Sequence, residues 1–174
     1  MRRIRSSQRL TNLRSALSDK FLRLQAQALR SSLWPKLRGQ TLRLEVFPEK
    51  SPERSPNRRF LGEKEIPLAQ VVGTLTRRED FDDQFRPLKP SLRDRWVNAY
   101  LALENEGWSP ILVHKVGDRY YVEDGHHRAS MARSLGMAFI QAKVWEYPVQ
   151  AAPLTKYADR RCQERSAGCA GVTE

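Results

Sequence analysis

The sequence predicts an α+β fold, a small mixed sheet with packed helices, preceded by a basic N-terminal helical arm. Three observations carry that prediction. From Leu10 to Ala28 the apolar residues recur at steps of three and four, the period of one helix face. From Pro110 to Glu123 two strand-like runs flank Gly117-Asp118, the signature of a tight hairpin. Asp124-Gly125 then separates a strand from a helical stretch closed by Gly136, and Phe139 to Tyr147 returns to strand composition. A chain of 174 residues, 40% of them hydrophobic, supplies one ordinary core.

Residues 1–40 form the arm. Leu10, Leu13, Leu17, Phe21, Leu24 and Ala28 make its apolar stripe, with Ser18-Asp19 as a cap that splits the run into two helices and Pro35 and Gly39 ending it. Residues 41–59 read as a short strand followed by a Pro/Ser-rich linker: Leu42, Leu44 and Val46 alternate with Arg43 and Glu45, and residues 48–57 are rich in proline, serine and charge. The main domain is expected over 60–148. It opens with Ile66-Pro67-Leu68 as a short strand and continues through a polar loop from Gly73 to Asp83. Ser91 with Asp94 makes a capping box for a helix carrying Leu92, Trp96, Ala99, Tyr100 and Leu103, ended by Gly107. Strands over 110–116 and 119–123, a helix to Leu135 and a strand over 139–147 complete it. Residues 149–174 form a weakly patterned tail.

Charge is distributed unevenly. Residues 1–40 hold ten Lys/Arg and one acid, whereas residues 61–150 hold twelve bases and thirteen acids. The basic character therefore belongs to the arm, through Arg2, Arg3, Arg5, Arg9, Arg14, Arg23 and Arg30. Such a segment attracts polyanions, DNA first and an anionic membrane surface second; a solvated helix face and an organelle transit peptide share the composition. No apolar run is long enough to span a bilayer. Cys162 and Cys169 form no disulfide or zinc pattern, and a reducing cytoplasm is the expected compartment.

The segment Asp124-Gly125-His126-His127-Arg128 carries the chemistry. A strand that turns at glycine into a helix leaves backbone N–H groups unpaired at the helix start, and with the helix dipole these attract an anion. His127 and Arg128 add side-chain donors, the guanidinium in a planar fork suited to phosphate. Asp124 has two readings, a helix cap or a ligand for magnesium travelling with phosphate. Adjacent histidines at a helix start diverge, so the pair does not suggest zinc.

Residues 66–147 resemble the ParB N-terminal domain and sulfiredoxin superfamily. The matching pieces, in order, are Ile66-Pro67-Leu68, Pro110-Ile111-Leu112-Val113, Val116 to Val122, the Gly-x-x-Arg corner at 125–128, the helix Ala129 to Gly136, and Ala142-Lys143-Val144. In ParB-like proteins the corner reads Gly-Glu-Arg-Arg and binds the triphosphate of CTP; in sulfiredoxins it reads Gly-Cys-His-Arg and binds ATP phosphates. The resemblance implies a nucleotide site at Gly125, His126, His127 and Arg128. His126 stands where sulfiredoxins carry the nucleophilic cysteine, so reductase chemistry is not expected. ParB domains also carry an Arg-bearing loop after the first strand, and Arg77 and Arg78 occupy that stretch. The free serine kinases, a third branch, have a similar Asp-Gly-His corner. On that reading Asp124 serves the metal, and Glu79 or Asp80 is the catalytic base, against the plain reading of Glu79, Asp80, Asp82 and Asp83 as a solvated loop face.

The expectation is a ParB-like nucleotide-binding protein that holds CTP or ATP with magnesium and acts on or near DNA through its arm, with a homodimer as a further partner. Two alternatives stand beside it: a small-molecule kinase on the same scaffold, and a non-catalytic protein-interaction module using the arm's apolar stripe.

Overall fold

A computed structural model describes residues 2–33, 42–48 and 58–148, with side chains from Gln8 onward. The expected terminators Pro35 and Gly39, the linker and the tail lie outside the described residues. So do the side chains of Arg2, Arg3 and Arg5.

Six strands, β1 (Glu45–Val46), β2 (Arg59–Pro67), β3 (Val71–Thr74), β4 (Ile111–Val116), β5 (Arg119–Asp124) and β6 (Phe139–Tyr147), form one sheet in the order β1-β3-β5-β4-β6-β2. The sheet is mixed: β1–β3, β3–β5 and β4–β6 are parallel, and β4–β5 and β2–β6 antiparallel. Among the described residues three α-helices complete the α+β architecture: α1 (Arg2–Ser31), α2 (Arg93–Asn105) and α3 (His126–Ser134). The alternation of strand side chains divides the sheet's surroundings. Ile111 and Val113 of β4, Val122 of β5 and Ile140, Ala142 and Val144 of β6 share one core with Trp96 and Val97 of α2 and Ala129, Met131 and Ala132 of α3. The other set of side chains builds a smaller cluster of Phe47, Tyr121 and Tyr147. No helix among the described residues is long and apolar enough to cross a membrane.

Several expectations need correcting. Ser18 does not divide α1, because its hydroxyl donates back to the Arg14 carbonyl within the same helix instead of capping a new one. Nor is the helix a detached arm. Leu17 and Phe21 belong to the main core, with Phe21 edge-on to Trp96 at 5.8 Å. Gln25 Nε2 donates to the Leu88 carbonyl, Lys20 Nζ to the Ser134 carbonyl, and Arg86 Nη2 to Ser31 Oγ. Burying Phe21 alone contributes about 2–3 kcal/mol, so the division at residue 60 does not separate independent units.

The strand expected over 41–47 pairs only at Glu45 and Val46, although Leu44 and Phe47 are both buried, in the two different clusters. The Ile66-Pro67-Leu68 strand begins earlier, at Arg59, and stops before Leu68, which starts a single 3-10 turn. The loop expected from Gly73 begins inside β3. Gly73 is there because a Cβ would lie 2.4 Å from Tyr121 Cδ1, and that close approach lets β1, β3 and β5 pair. The Ser91–Asp94 capping box does not form: Pro90 to Leu92 make a 3-10 turn, and α2 starts from Leu92 with no side-chain cap.

Candidate functional site

The corner is built by backbone geometry. β5 ends at Asp124, and Gly125 adopts φ +95°, a left-handed conformation that glycine alone takes readily. A Cβ there would also sit 2.4 Å from Ile111 Cγ2. The chain can therefore turn from strand to α3 only with glycine at this position. The first bond inside α3 runs from the Ala129 N–H to the Gly125 carbonyl, so the N–H groups of residues 126–128 precede the helix ladder.

A cleft of about 550 Å³ lies against this corner, within the range of small-molecule sites. Asp124 to Arg128 form one side. Arg95, Ala99 and Ala102 of α2 also line it at helical spacing, with Glu106 just after the helix end, the two alanines leaving room. Arg77, Gly107, Trp108 and Ser109 complete the wall. The Trp108 indole is fixed by donating to the Ala99 carbonyl at 2.7 Å.

The predicted site residues divide between this cleft and elsewhere. Gly125, His126, His127, Arg128, Arg77 and Asp124 all line it. Arg78 is exposed and is not part of the wall. Glu79 is exposed and pairs with Arg43 at 3.0 Å. Asp80 accepts from Lys89 at 2.7 Å and Arg77 at 3.1 Å. Partial burial raises its pKa, but the hydrogen bonds from Lys89 and Arg77 outweigh this and hold the carboxyl below its ordinary value. A carboxylate so engaged is a poor base.

Asp124 is not a helix cap, since the cap position is Gly125 and no side chain bonds the helix start. Its carboxylate instead accepts from Arg128 Nη2 at 2.7 Å. Arg128 Nη1 donates to Ser109 Oγ and to the Ser109 and Pro110 carbonyls, so this guanidinium ties α3 to the start of β4. Asp124 and Glu106 are the carboxylates on the wall, and no three His, Cys, Asp or Glu side chains converge on a metal site among the described residues.

The two histidines are neutral at pH 7. Burial, reinforced by the nearby Arg77 cation, pushes both down to about 4. His126 is turned inward: it stacks on Phe81 at 6.1 Å and meets the Thr74 hydroxyl through Nε2 at 2.7 Å. His127 packs edge-on to Phe81, and both of its ring nitrogens are shielded without a hydrogen-bond partner among the described residues.

Three contributors escaped the sequence reading. Arg95 lines the cleft with no ion-pair partner among the described residues, and its helical register with Ala99 and Ala102 was the available signal. Trp108 follows the helix-ending Gly107 without a pattern to mark it. Thr74 reaches His126 only because β3 pairs in parallel with β5, Thr74 opposite Val122. On α1, Arg9, Arg14, Arg23 and Arg30 are exposed. At 100° per residue Arg9, Arg23 and Arg30 fall within roughly 60° of one another.

No protein-family model matches the chain, and no curated protein matches it. Among solved structures the chain is similar to the crystal structure of sulfiredoxin from Arabidopsis thaliana, at 23% identity and a TM-score of 0.38. That likeness covers 49% of this chain and 86% of the sulfiredoxin.

Proposed function

We propose that the protein is a nucleotide-binding module whose corner cleft takes the phosphate chain of CTP or ATP, and which acts on or near DNA through α1. The observation that carries the reading is Gly125, whose left-handed turn directs the start of α3 into a cleft walled by Arg77, Arg95 and Arg128. Backbone N–H groups, helix dipole and three guanidinium groups favour a polyanion there. The buried neutral histidines add no positive charge of their own and pack behind the corner against Phe81. Trp108 and the two alanines of α2 offer an apolar end for a ring. Magnesium would arrive with the phosphates, and Asp124 and Glu106 are the carboxylates available to it.

A small-molecule kinase would need a base at the cleft. Glu79 and Asp80, the residues considered for that role, are engaged by Arg43 and by Lys89 and Arg77, so binding is preferred to phosphoryl transfer. DNA contact is assigned to Arg9, Arg23 and Arg30, exposed on one side of α1 and away from Leu17 and Phe21. Such contacts would follow the phosphate backbone without regard to sequence.

The test is a melting-temperature panel with CTP, ATP and inorganic tripolyphosphate, each with and without magnesium. A ligand at a hundred times its dissociation constant stabilises by about 2.7 kcal/mol, which raises the melting point by several degrees. If none of the three moves it, the reading fails.

A further inference from the structure

We propose that His126 is a positioning residue: as a neutral imidazole it accepts the Thr74 hydroxyl proton through Nε2, and this bond holds the turn that sets Arg77 on the cleft wall. The inference rests on the phosphate-cleft reading for its consequence, but the bond itself follows from counting protons.

A threonine hydroxyl has one hydrogen and two lone pairs. Thr74 Oγ1 accepts the backbone N–H of Thr76 at 3.2 Å and that of Arg77 at 3.0 Å. Those two donors occupy both lone pairs, so the hydroxyl hydrogen goes to its remaining neighbour, His126 Nε2, at 2.7 Å. An imidazole nitrogen that accepts is unprotonated, and His126 is therefore the tautomer with hydrogen on Nδ1. The burial that favours a neutral ring at this site agrees with that assignment.

The three bonds join separate parts of the chain. His126 belongs to α3, Thr74 ends β3, and Thr76 and Arg77 begin the loop that follows. Thr74 is 1% exposed and His126 3%, so neither exchanges these bonds for water. The turn is held from within, and Arg77 faces the corner because Thr74 is fixed by His126. The charged groups acting on His126 are Arg77, Asp80, Asp124 and, when protonated, His127. Without an acceptor at Nε2 the Thr74 hydroxyl hydrogen would have no partner, and the Arg77 turn would lose that support.

The experiment combines nuclear magnetic resonance with calorimetry on the full chain. In protein carrying 15N-labelled histidine, His126 should show an unprotonated Nε2 and a protonated Nδ1 at pH 7. Two substitutions, Thr74→Val and His126→Leu, remove one side of the bond each. Each should accelerate amide exchange at Arg77 and weaken tripolyphosphate and CTP binding by about tenfold, the scale of one buried hydrogen bond with its partner stranded. The double variant should be no weaker than either single one, because both remove the same link. Thr74→Ser and His126→Gln keep a hydroxyl and an acceptor, and both should restore affinity to within about threefold. A protonated Nε2 at pH 7, or unchanged Arg77 exchange in His126→Leu, overturns the proposal. If wild-type protein binds neither probe, the phosphate reading falls alone, while tautomer and exchange still decide the link.

Discussion

Two buried histidines on different strands and helices use their nitrogens differently. His114, in the middle of β4, engages Tyr147 Oη through Nδ1 and the Glu123 carboxylate through Nε2, beside the aromatic cluster around Phe47. Its partners stand on β5 and β6, the immediate neighbours of β4 in the sheet, so the network stitches three adjacent strands. His126 bonds Thr74, two strands from β4, and through it the loop bearing Arg77. One network holds the sheet to itself; the other holds a loop to a cleft. Burial and polarity are shared, and what separates the two networks is what each bonded partner holds in place.

The largest effect should come from the corner common to both the fold and the cleft. Gly125→Ala combines a strained φ of +95° with a Cβ contact of 2.4 Å to Ile111, and urea denaturation should show a loss of about 3 kcal/mol or more. The next effect is pH dependence. The His126 pKa falls from about 6.5 unfolded to about 4 folded, so its neutral form contributes fully above pH 6.5. That contribution is lost as pH falls towards 4, on the order of 3 kcal/mol. Acid titration of stability should be flatter in His126→Gln, and an unchanged slope would argue against a neutral buried ring.

His114→Phe sharpens the comparison from the other side. It removes both bonds in the sheet network, which should cost about 1–2 kcal/mol of stability, while leaving CTP affinity as in wild type. A drop in affinity would mean that the two networks are coupled. The smallest effect on stability belongs to α1. Replacing Arg9, Arg23 and Arg30 together by Gln should change stability by less than about 0.5 kcal/mol but reduce the salt dependence of DNA retention by a slope of about 2.7. Unchanged retention would remove these residues from the DNA reading. Truncating residues 1–38 would not test it, because Leu17 and Phe21 would leave the core with the arginines.

Legibility in the sequence followed the range of the interactions. The hairpin at Gly117-Asp118, the final strand from Phe139 to Tyr147 and the corner at Gly125 depend on near neighbours, and each was readable. β3 was not, because Gly73 has the composition of a loop and becomes a strand residue only where Tyr121 crowds it. The docking of α1 onto the core is illegible for a related reason. Its stripe of Leu17 and Phe21 was visible, but nothing local states that Trp96 is waiting for it. In the site, the contiguous motif at 124–128 and Arg77 are legible, whereas Thr74 and Arg95 arrive from β3 and α2 and carry no motif. His126 was read as a direct ligand and is turned instead towards Thr74; a side chain's direction is set by packing on Phe81, which the order of residues does not reveal.

The central claim is that the cleft at Gly125 binds a phosphate chain through the guanidinium groups around it. The most direct measurement is calorimetric titration of CTP and ATP, with magnesium, into wild-type protein and into Arg77→Ala and Arg95→Ala. These two residues are chosen because Arg128 also braces α3 against Ser109. The account predicts saturable binding to wild type, weakened by about tenfold or more in each variant, with no loss of helical signal. Equal affinity in all three proteins, or no heat with either nucleotide, would contradict it.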